Sequence, residues 1–227
     1  MIGIIAAMDI EAQGFIALLE NKQTATILGI TYTTGNYAGK NVVVAVSGIG
    51  KVNAGMCTAL MIEKFAPDAI LSIGVAGSIS LDVKLLDICV ASFVCQHDFD
   101  TSAFGDPLGL LPGHKEVRMP CDAKLVEVLS SAASLCGNTI IAGMACGDQF
   151  IADKDKKLSL HKQYGAVACE MESGAIGQVA FQNGIPFAVV RVISDSLTDD
   201  AHMEYEVFKS KAAEKTICVV CDTIKKL

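Results

Sequence analysis

Seven short apolar runs recur along the chain, and most are rich in β-branched residues. Because they are continuous rather than alternating, they predict strands that are covered on both faces, as in α/β proteins. The predicted strands are "IGIIAAM" (2–8), "VVVAVS" (42–47), "AILSIGV" (69–75), "DICVASFV" (87–94), "NTIIAGMACG" (138–147), "AVACE" (166–170) and "FAVVRVIS" (187–194).

Segments with helical patterns lie between these runs. The stretch "TYTTGNYAGKNVVV" carries a Gly-Asn turn signal at 35–36 and predicts an antiparallel hairpin, so the sheet should be mixed. The predicted fold class is α/β: a single three-layer domain over residues 1–227, with a central mixed β-sheet flanked by helices. The predicted helices cover 10–20, 52–65, 122–136, 173–183 and 205–225.

Glycines and polar residues follow six of the predicted strands. In open α/β sheets, ligands gather beyond the carboxyl ends of the strands. Because the same kinds of residue recur at this topological place, the sequence predicts a small-molecule site there. The segments are "MDIE", "GIGK", "GVAGS", "CGDQFIAD", "CEMES" and "SDS".

Composition and charge narrow the range of partners. Of the 227 residues, 52% are hydrophobic and 19% are charged, which indicates a globular protein rather than a disordered one. The net charge is −7, and the run "DKDKK" (153–157) is a short surface segment rather than a basic stripe. These features argue against a nucleic-acid partner. The apolar N-terminal run is too short to span a bilayer, and no other run reaches that length, so no membrane partner is expected.

The cysteines and histidines favour neither disulfides nor a metal. Nine cysteines are scattered among apolar neighbours, and their odd number favours reduced thiols in a cytoplasmic protein. Cys218 and Cys221 form a CxxC pair in a terminal helical pattern, where core packing is expected rather than redox or metal use. The four histidines show no ligand-like spacing, so no zinc site is expected.

Two glycine-rich segments are weak signals on their own. "GIGK" (48–51) fails the phosphate-loop pattern, since Ala45 and Val52 stand where that pattern has Gly and Ser or Thr. A strand-to-helix turn is the simpler interpretation, although helix N-terminal amides there could hold a polar group. In "SIGVAGSI" (72–79), Gly77 is the candidate for a close approach of the backbone to a ligand.

Two separated carboxylates suggest acid–base chemistry. Glu11 lies in the first turn of the first helix, and Asp195 follows Ser194 at the end of the last strand. Taken alone, each is explained by a helix N-terminus or a turn. Together they match the layout that hydrolyses a glycosidic bond, in which one carboxyl protonates the leaving group and the other activates water.

Arginine is scarce, with only Arg118 and Arg191 among 18 basic residues. An enzyme that uses phosphate as its nucleophile usually places several cationic donors in the pocket. The scarcity therefore favours water as the nucleophile, while lysine and backbone amides leave phosphate binding open.

The order and spacing of several motifs match a known family. The motifs are "IGIIAAMDIEA", "SGIGKVNAG", "GVAGS", "SAFG", "LPG", "CGDQFI", "CEMES" and "VVRVISD". In combination, and over essentially the whole chain, they resemble the 5′-methylthioadenosine/S-adenosylhomocysteine nucleosidases. The resemblance implies a nucleoside phosphorylase-like fold, a homodimer, and no metal or organic cofactor. It also implies hydrolysis of the N-ribosidic bond of an adenosine derivative to adenine and a thio-substituted ribose.

The resemblance implies a role for individual residues. Glu11 matches the base that activates water, Asp195 the acid that helps to protonate adenine at N7, and Glu172 the carboxylate that binds the ribose hydroxyls. Glu170 is expected to be structural. The other substrate-binding positions are Ser194 beside the acid, Phe150 and Ile151 at the base, Ala76 and Gly77 near ribose and base, Met171 beside the sugar, and Met8, Ile49 and Tyr205 in the apolar wall.

Three positions depart from the family pattern. Val75 replaces a common Ser, Tyr205 replaces a more usual Phe, and Gln96 replaces an aromatic residue in a segment that reaches toward the neighbouring subunit. These changes leave the preferred 5′ substituent open, and 6-amino-6-deoxyfutalosine is not excluded as a substrate. The alternatives are a phosphate-dependent purine nucleoside phosphorylase and a non-catalytic nucleoside-binding protein.

Overall fold

The computed structural model describes residues 1–197 and 201–227. Within these residues, ten strands form one sheet. The strands are β1 Ile2–Ala6, β2 Glu20–Ile27, β3 Ile30–Tyr37, β4 Lys40–Val46, β5 Ala69–Ser78, β6 Ile88–Gln96, β7 Met119–Pro120, β8 Thr139–Cys146, β9 Ala166–Glu170 and β10 Phe187–Asp195. The α-helices are α1 Asp9–Leu18, α2 Lys51–Phe65, α3 Ala123–Cys136, α4 Lys154–Tyr164, α5 Ser173–Gln182 and α6 Ala201–Lys226.

The sheet is mixed, as predicted. Its strands follow the order β10-β6-β8-β9-β5-β1-β4-β3-β2, with β7 beside β6. β5 pairs in parallel with β1 and β10, and its last two residues pair with β9. Because β10 also pairs with β6, the strands β5, β10, β6, β8 and β9 close into a ring. The C-terminal ends of β1, β5 and β10 therefore lie at one edge, with the end of β9 beside them.

Helices cover both faces of the sheet, which confirms the three-layer prediction. α1, α3 and α6 pack together on one face, where Phe15 and Leu129 are fully buried. α2 and α5 pack on the other face, with Met61 and Ile176 in the core. β5 and β10 are buried along their whole length, because both of their faces are covered. None of the described helices is long and apolar enough to cross a membrane.

The predicted hairpin is present, but the turn was predicted at the wrong place. β3 and β4 are connected by Ala38 and Gly39, whose φ angles are 50° and 77°. Positive φ at both central positions is typical of a type I′ turn. Gly35 lies inside β3, where an added Cβ would come 2.8 Å from the carbonyl oxygen of Glu20. That glycine allows two strands to approach closely, and it does not form the turn.

The other predicted elements are present with shifted ends, but β2, α4 and the two-residue strand β7 were not predicted. The helix predicted over 205–225 is described from Ala201 onward. β2 was missed because it is an edge strand, exposed at nearly every position, and so lacks an apolar pattern. α4 was missed because it is strongly charged and buries only Lys157, Leu160 and Tyr164. The assignment of Lys157 to a surface run was therefore wrong.

The expectation that the CxxC pair packs in the core was also wrong. Cys218 is exposed and Cys221 is only half-buried. The buried stripe of α6 runs through Thr216, Val219 and Thr223 instead. Cys218 lies off that stripe, because a helical face repeats every three to four residues.

Candidate active site

A cavity of about 250 Å³ opens where the ends of β1, β5, β9 and β10 meet. Small-molecule sites typically measure roughly 300–1,000 Å³, so this cavity is close to the lower end of that range. Every site residue assigned from the sequence lines it: Met8, Glu11, Ile49, Ala76, Gly77, Phe150, Ile151, Met171, Glu172, Ser194, Asp195 and Tyr205. The sheet topology explains this convergence, since the residues after these strands share one edge.

Glu11 is held at the N-terminus of α1 by three backbone amides. Its Oε2 accepts hydrogen bonds from the amides of Ala7 and Met8, at 3.0 and 2.9 Å. Its Oε1 accepts one from the amide of Val75 at 2.9 Å. Burial raises the pKa of Glu11, although Arg191 and these amides act to lower it. The result is a fixed carboxylate with an increased affinity for a proton, which suits a general base.

Asp195 ends β10 and is paired with a buried lysine. A β-bulge shifts the register between Ile193 and Asp195, and bulges of this kind re-aim side chains. Asp195 Oδ2 accepts a hydrogen bond from Lys157 Nζ at 2.7 Å, and Oδ1 accepts one from the Ser194 hydroxyl at 3.1 Å. Lys157 Nζ also donates to the Ser196 carbonyl oxygen at 2.7 Å. Burial raises the pKa of Asp195, and the Lys157 ammonium opposes that rise.

A buried arginine joins the two glutamates of "CEMES". Arg191 Nη2 lies 2.5 Å from Glu170 Oε2 and 3.4 Å from Glu172 Oε2. Glu170 also accepts hydrogen bonds from the amides of Glu172 and Ser173, at 3.0 and 2.8 Å, and from the Ser173 hydroxyl at 2.6 Å. Both oxygens of Glu170 are thus occupied by protein groups at the start of α5. These contacts are consistent with the structural role expected for Glu170.

Among the described residues, Glu172 has fewer hydrogen-bond partners than Glu170. Its Oε1 accepts a hydrogen bond from the amide of Gly50 at 2.9 Å. Burial raises the pKa of Glu172 to about 7, with Arg191 opposing the rise and Glu170 adding to it. The side chain lines the cavity beside Met171. Glu172 can therefore accept further hydrogen bonds from a ligand in the cavity.

The amides at the end of "GIGK" bind carboxylates of the chain itself. Gly50 N donates to Glu172, and Lys51 N donates to Asp148 Oδ1 at 2.7 Å. Lys51 Nζ and the amide of Asp148 both bind the carboxylate of Asp98, at 2.6 and 2.8 Å. These hydrogen bonds and the Lys51–Asp98 ion pair hold the loop that follows β8 against the N-terminus of α2. The segment is therefore a strand-to-helix connection that positions the site.

Aromatic and apolar side chains form the remaining wall. Phe150 is 47% exposed, and its ring lies edge-on to that of Tyr205 with centroids 5.7 Å apart. The hydroxyl of Tyr205 lies 3.3 Å from the sulfur of Met8. Ile151, next to Phe150, is buried. A half-exposed aromatic ring beside a cavity offers a surface on which a flat ligand ring can stack.

The charged side chains in the described lining of the cavity are all acidic. Arg118 is elsewhere, since its guanidinium donates to the Tyr164 carbonyl oxygen at 2.8 and 3.2 Å and covers the ring of Phe93. Arg191 lies behind the carboxylates that it binds. Among the described residues that line the cavity, none is Lys, Arg or His. The acidic lining residues are Glu11, Glu170, Glu172 and Asp195.

Comparisons with known proteins show which family this chain belongs to. The model of the Phosphorylase superfamily matches residues 1–225. A 5′-methylthioadenosine/S-adenosylhomocysteine nucleosidase from Shewanella piezotolerans is 39% identical over 229 residues, covering 100% of this chain and 99% of that relative. The chain belongs to this nucleosidase family within the Phosphorylase superfamily. The family consists of N-glycosyl hydrolases, as the resemblance in sequence motifs implied.

Solved structures agree with this assignment. The nucleosidase from Neisseria meningitidis, in complex with methylthio-immucillin-A, has a TM-score of 0.95 at 31% identity. The match covers 100% of this chain and 99% of that one. The futalosine hydrolase from Helicobacter pylori has a TM-score of 0.94 at 32% identity, covering 100% of this chain and 97% of that one. The nucleoside phosphorylase-like fold is thereby confirmed.

Two departures from the family pattern have clear positions in the structure. Gln96 is buried within its own chain, where its Nε2 donates to the Gly174 carbonyl oxygen at 3.1 Å and to Gln178 Oε1 at 2.9 Å. Its Oε1 accepts from Lys51 Nζ at 3.2 Å. The Gln96 side chain therefore stabilises its own chain. Val75 lines the cavity and presents an apolar surface there.

Sequence reasoning missed Lys157, the partner of Asp195. The available signal was the helical spacing of positions 157, 160 and 164, which places Lys157 on the buried face of α4. Nothing along the sequence indicates which carboxylate that lysine meets, because the pairing depends on how α4 packs. The residues that line the cavity but were not assigned to catalysis or substrate binding are Ala7, Val75, Gln149, Cys169 and Glu170.

Proposed function

We propose that this protein hydrolyses the N-ribosidic bond of 5′-methylthioadenosine, S-adenosylhomocysteine and related 5′-substituted adenosines. The products are adenine and a thio-substituted ribose. One observation carries the choice of water as the nucleophile: the described lining of the cavity holds four carboxyl groups and no cationic side chain. A phosphate ion would be repelled there and would find no cationic partner. The names of the relatives support the same reaction.

The two catalytic carboxyls act at opposite ends of the bond that breaks. Asp195 donates a proton to N7 of adenine, so that the base leaves as a neutral molecule. Positive charge develops on the ribosyl ring, where the surrounding carboxylates stabilise it. Glu11 takes a proton from water as its oxygen bonds to the anomeric carbon. Each acid–base step contributes about 10²–10⁴-fold to the rate.

Lys157 acts through Asp195 and is a positioning residue. Its ammonium holds Oδ2 at 2.7 Å, while Ser194 holds Oδ1, so both oxygens of the acid are fixed. Lys157 also counteracts the desolvation that favours the protonated form of Asp195. The lysine therefore sets both the direction and the proton affinity of the acid.

The remaining lining residues bind the three parts of the substrate. Glu172 accepts hydrogen bonds from the ribose hydroxyls, which are strong when the acceptor is ionised. Phe150 stacks on the adenine, and the backbone of Ile151 contacts its edge. Ala76 and Gly77 allow the sugar and base to approach β5. The 5′ substituent lies against Met8, Ile49 and Tyr205, and Met171 packs beside the sugar.

Paired carboxyl variants test the mechanism. We expect Glu11→Gln and Asp195→Asn each to lower kcat for adenine release by about 10²–10⁴-fold, the range of acid–base contributions. The matched control is Asp9→Asn, which changes an exposed carboxylate in the same first turn of α1 as Glu11. That control should retain full activity. Near-normal adenine release by folded Glu11→Gln or Asp195→Asn protein would contradict the assigned roles.

A futalosine-type nucleoside is the second candidate substrate. The observation that favours it is the match to the Helicobacter pylori futalosine hydrolase. The same acid and base would serve this substrate, because only the 5′ substituent differs. Measurement of kcat/KM for methylthioadenosine, S-adenosylhomocysteine and 6-amino-6-deoxyfutalosine with one preparation ranks the three. A higher value for the third would assign the protein to that reaction.

We also infer a homodimer from the family resemblance and from an exposed apolar patch beside the cavity. Ile49, Val52 and Met56 are 52%, 81% and 39% exposed at the start of α2. Large exposed apolar side chains in one place indicate an interaction surface. Sedimentation analysis should give the mass of two chains, and Val52→Glu should weaken the association. A cytoplasmic location stays a prediction from the cysteine content.

A further inference from the structure

Three potential metal ligands meet on the outer side of α6, outside the cavity. Cys136 is the last residue of α3, and Cys218 and Asp222 belong to α6. The sulfur atoms of Cys136 and Cys218 are 2.8 Å apart. One ligand atom from each of the three residues lies within 4.8 Å of the others. In residues 1–197 and 201–227, this is the one group of three or more His, Cys, Asp or Glu side chains with such an arrangement.

The arrangement on α6 is suited to chelation. Cys218 and Asp222 are four residues apart, so their side chains lie one above the other on one helix face. The same i, i+4 spacing serves helical zinc motifs. Cys136 provides the third ligand from a second helix that packs against α6. Three protein ligands of this kind leave one position of a tetrahedral ion open, and the exposure of Cys218 gives water access to it.

The donor set favours a thiophilic divalent cation. Two thiolates with one carboxylate are ligands that Zn²⁺ accepts in tetrahedral sites, whereas Mg²⁺ and Ca²⁺ prefer oxygen alone. Sulfur atoms bound to one Zn²⁺ at about 2.3 Å would be about 3.8 Å apart, so the two thiols need to separate by about 1 Å. Cys218 is exposed and can make this small side-chain movement.

The charge of such a site is balanced by a neighbouring lysine. Two thiolates and a carboxylate carry three negative charges, and a divalent cation leaves one of them uncompensated. Lys225 Nζ already donates to Asp222 Oδ1 at 2.9 Å. That contact leaves Oδ2 available as the metal ligand. The bound site would then be neutral overall, which avoids the cost of an unpaired charge.

The CxxC motif does not form this site, although it contributes Cys218. Cys221 instead lies beside Tyr37, whose pKa it raises. The partner of Cys218 is Cys136, which is 82 positions away. Sequence spacing therefore predicted no zinc site, because the two thiols meet only through the packing of α3 on α6. The three residues are absent from the described lining of the cavity, so the site is independent of the proposed reaction.

We propose that Cys136, Cys218 and Asp222 form a binding site for a thiophilic divalent cation, with Zn²⁺ as the preferred ion, that fastens the end of α3 to α6. The ion has no part in the chemistry at the cavity. Because it binds the folded chain, it stabilises the fold in proportion to its concentration relative to Kd.

Direct titration of Zn²⁺ into the full chain tests this proposal. The protein is kept in a phosphine reductant that contains no thiol, and binding is measured by calorimetry together with the thermal midpoint. We expect one ion per chain and a rise of several degrees in Tm. Substitution of Co²⁺ should give the absorption of cobalt bound to two thiolates.

Variants identify the ligands. Cys218→Ser and Asp222→Asn should each lower the affinity at least about tenfold, since even groups that only support a metal ligand contribute 10–100-fold. Cys221→Ser is the matched control on the same helix and should bind as the unaltered chain does. Adenine release should be equal in all four proteins, because the ligands lie outside the cavity. Equal circular dichroism would show that the variants are folded.

Three results would overturn the proposal. The first is an absence of binding in the reduced protein. The second is unchanged affinity in Cys218→Ser or in Asp222→Asn. The third is metal-free protein that has two fewer free thiols than its sequence provides and yields a Cys136–Cys218 cross-link in a peptide digest. That result would show that the pair exists as a disulfide instead.

Discussion

Replacement of the buried lysine behind the acid is the perturbation with the clearest expected consequences. Lys157 is fully buried, and its Nζ donates to Asp195 Oδ2 and to the Ser196 carbonyl oxygen, both at 2.7 Å. Lys157→Met keeps an unbranched apolar side chain at the same buried position and removes the ammonium. Among the described residues, the one hydrogen bond that the Asp195 side chain then retains is that from Ser194.

The stability cost follows from the burial of both partners. Removal of one member of a buried ion pair costs about 3–5 kcal/mol, because the other charge is left without compensation. For a chain of this length, about 1 kcal/mol lowers Tm by roughly 2–4 °C, which gives a fall of about 6–20 °C. Domains have roughly 5–15 kcal/mol of stability, so Lys157→Met should remain folded at moderate temperature.

The pH dependence of the reaction should change as well. Burial raises the pKa of Asp195, and Lys157 is the largest opposing influence. Without the ammonium, the pKa of Asp195 rises further, and the carboxyl keeps its proton to a higher pH. A general acid is active in its protonated form, so activity is lost as pH rises through its pKa. The alkaline limb of the kcat profile should therefore move to higher pH in Lys157→Met.

The assay is adenine release from methylthioadenosine between about pH 5 and about pH 10, with Tm measured on the same samples. The control is Lys162→Met, which removes an exposed lysine from the same helix. It should change neither the profile nor Tm appreciably. A lower rate in Lys157→Met with an unmoved alkaline limb would refute the reasoning, because a purely structural lysine would give that result.

Three further substitutions follow from the packing around the carboxyls. An added Cβ at Gly77 would lie 2.6 Å from Asp195 Oδ2, so Gly77→Ala should lower kcat at least about tenfold. The control Gly55→Ala has space in α2 and should stabilise the protein by about 0.5–1 kcal/mol in thermal unfolding. Between pH 4.5 and about 7, the folded state holds the Glu172 proton more tightly than the unfolded chain, so this group makes stability fall as pH rises through that window. Glu172→Gln removes this effect. The free energy of unfolding of the variant, measured relative to the unaltered chain, should therefore increase by up to about 3 kcal/mol as pH rises through this window, at about 1.4 kcal/mol per pKa unit. Glu170→Gln weakens the pairing with the buried arginine and should lower Tm more than Glu172→Gln does, as scanning calorimetry can check.

The position of the site was predictable because it depends on local signals that the topology gathers. Apolar runs located the strands, and polar residues after the runs marked their ends. Since these ends meet at one edge, Glu11, Glu172 and Asp195 all line one cavity. Their proposed roles came from the resemblance, which no single motif would have supported.

The features that sequence reasoning missed all depend on contacts between distant segments. Lys157 appears as one charge in a polar run, and only the packing of α4 shows that it is buried beside Asp195. Gly35 appears as a turn residue, and only the closeness of β2 explains it. The meeting of Cys136 and Cys218 likewise depends on the packing of α3 on α6.

The identity of the nucleophile is the central claim, and the effect of phosphate on adenine release tests it most directly. The protein is freed of phosphate, and adenine and sugar products are measured with and without about 50 mM phosphate, an excess that would fill a weak anion site. Because the described lining of the cavity is acidic and has no cationic side chain, we predict full activity without phosphate and a free reducing sugar under both conditions. A rate that depends on phosphate, with a sugar 1-phosphate as the product, would contradict the account.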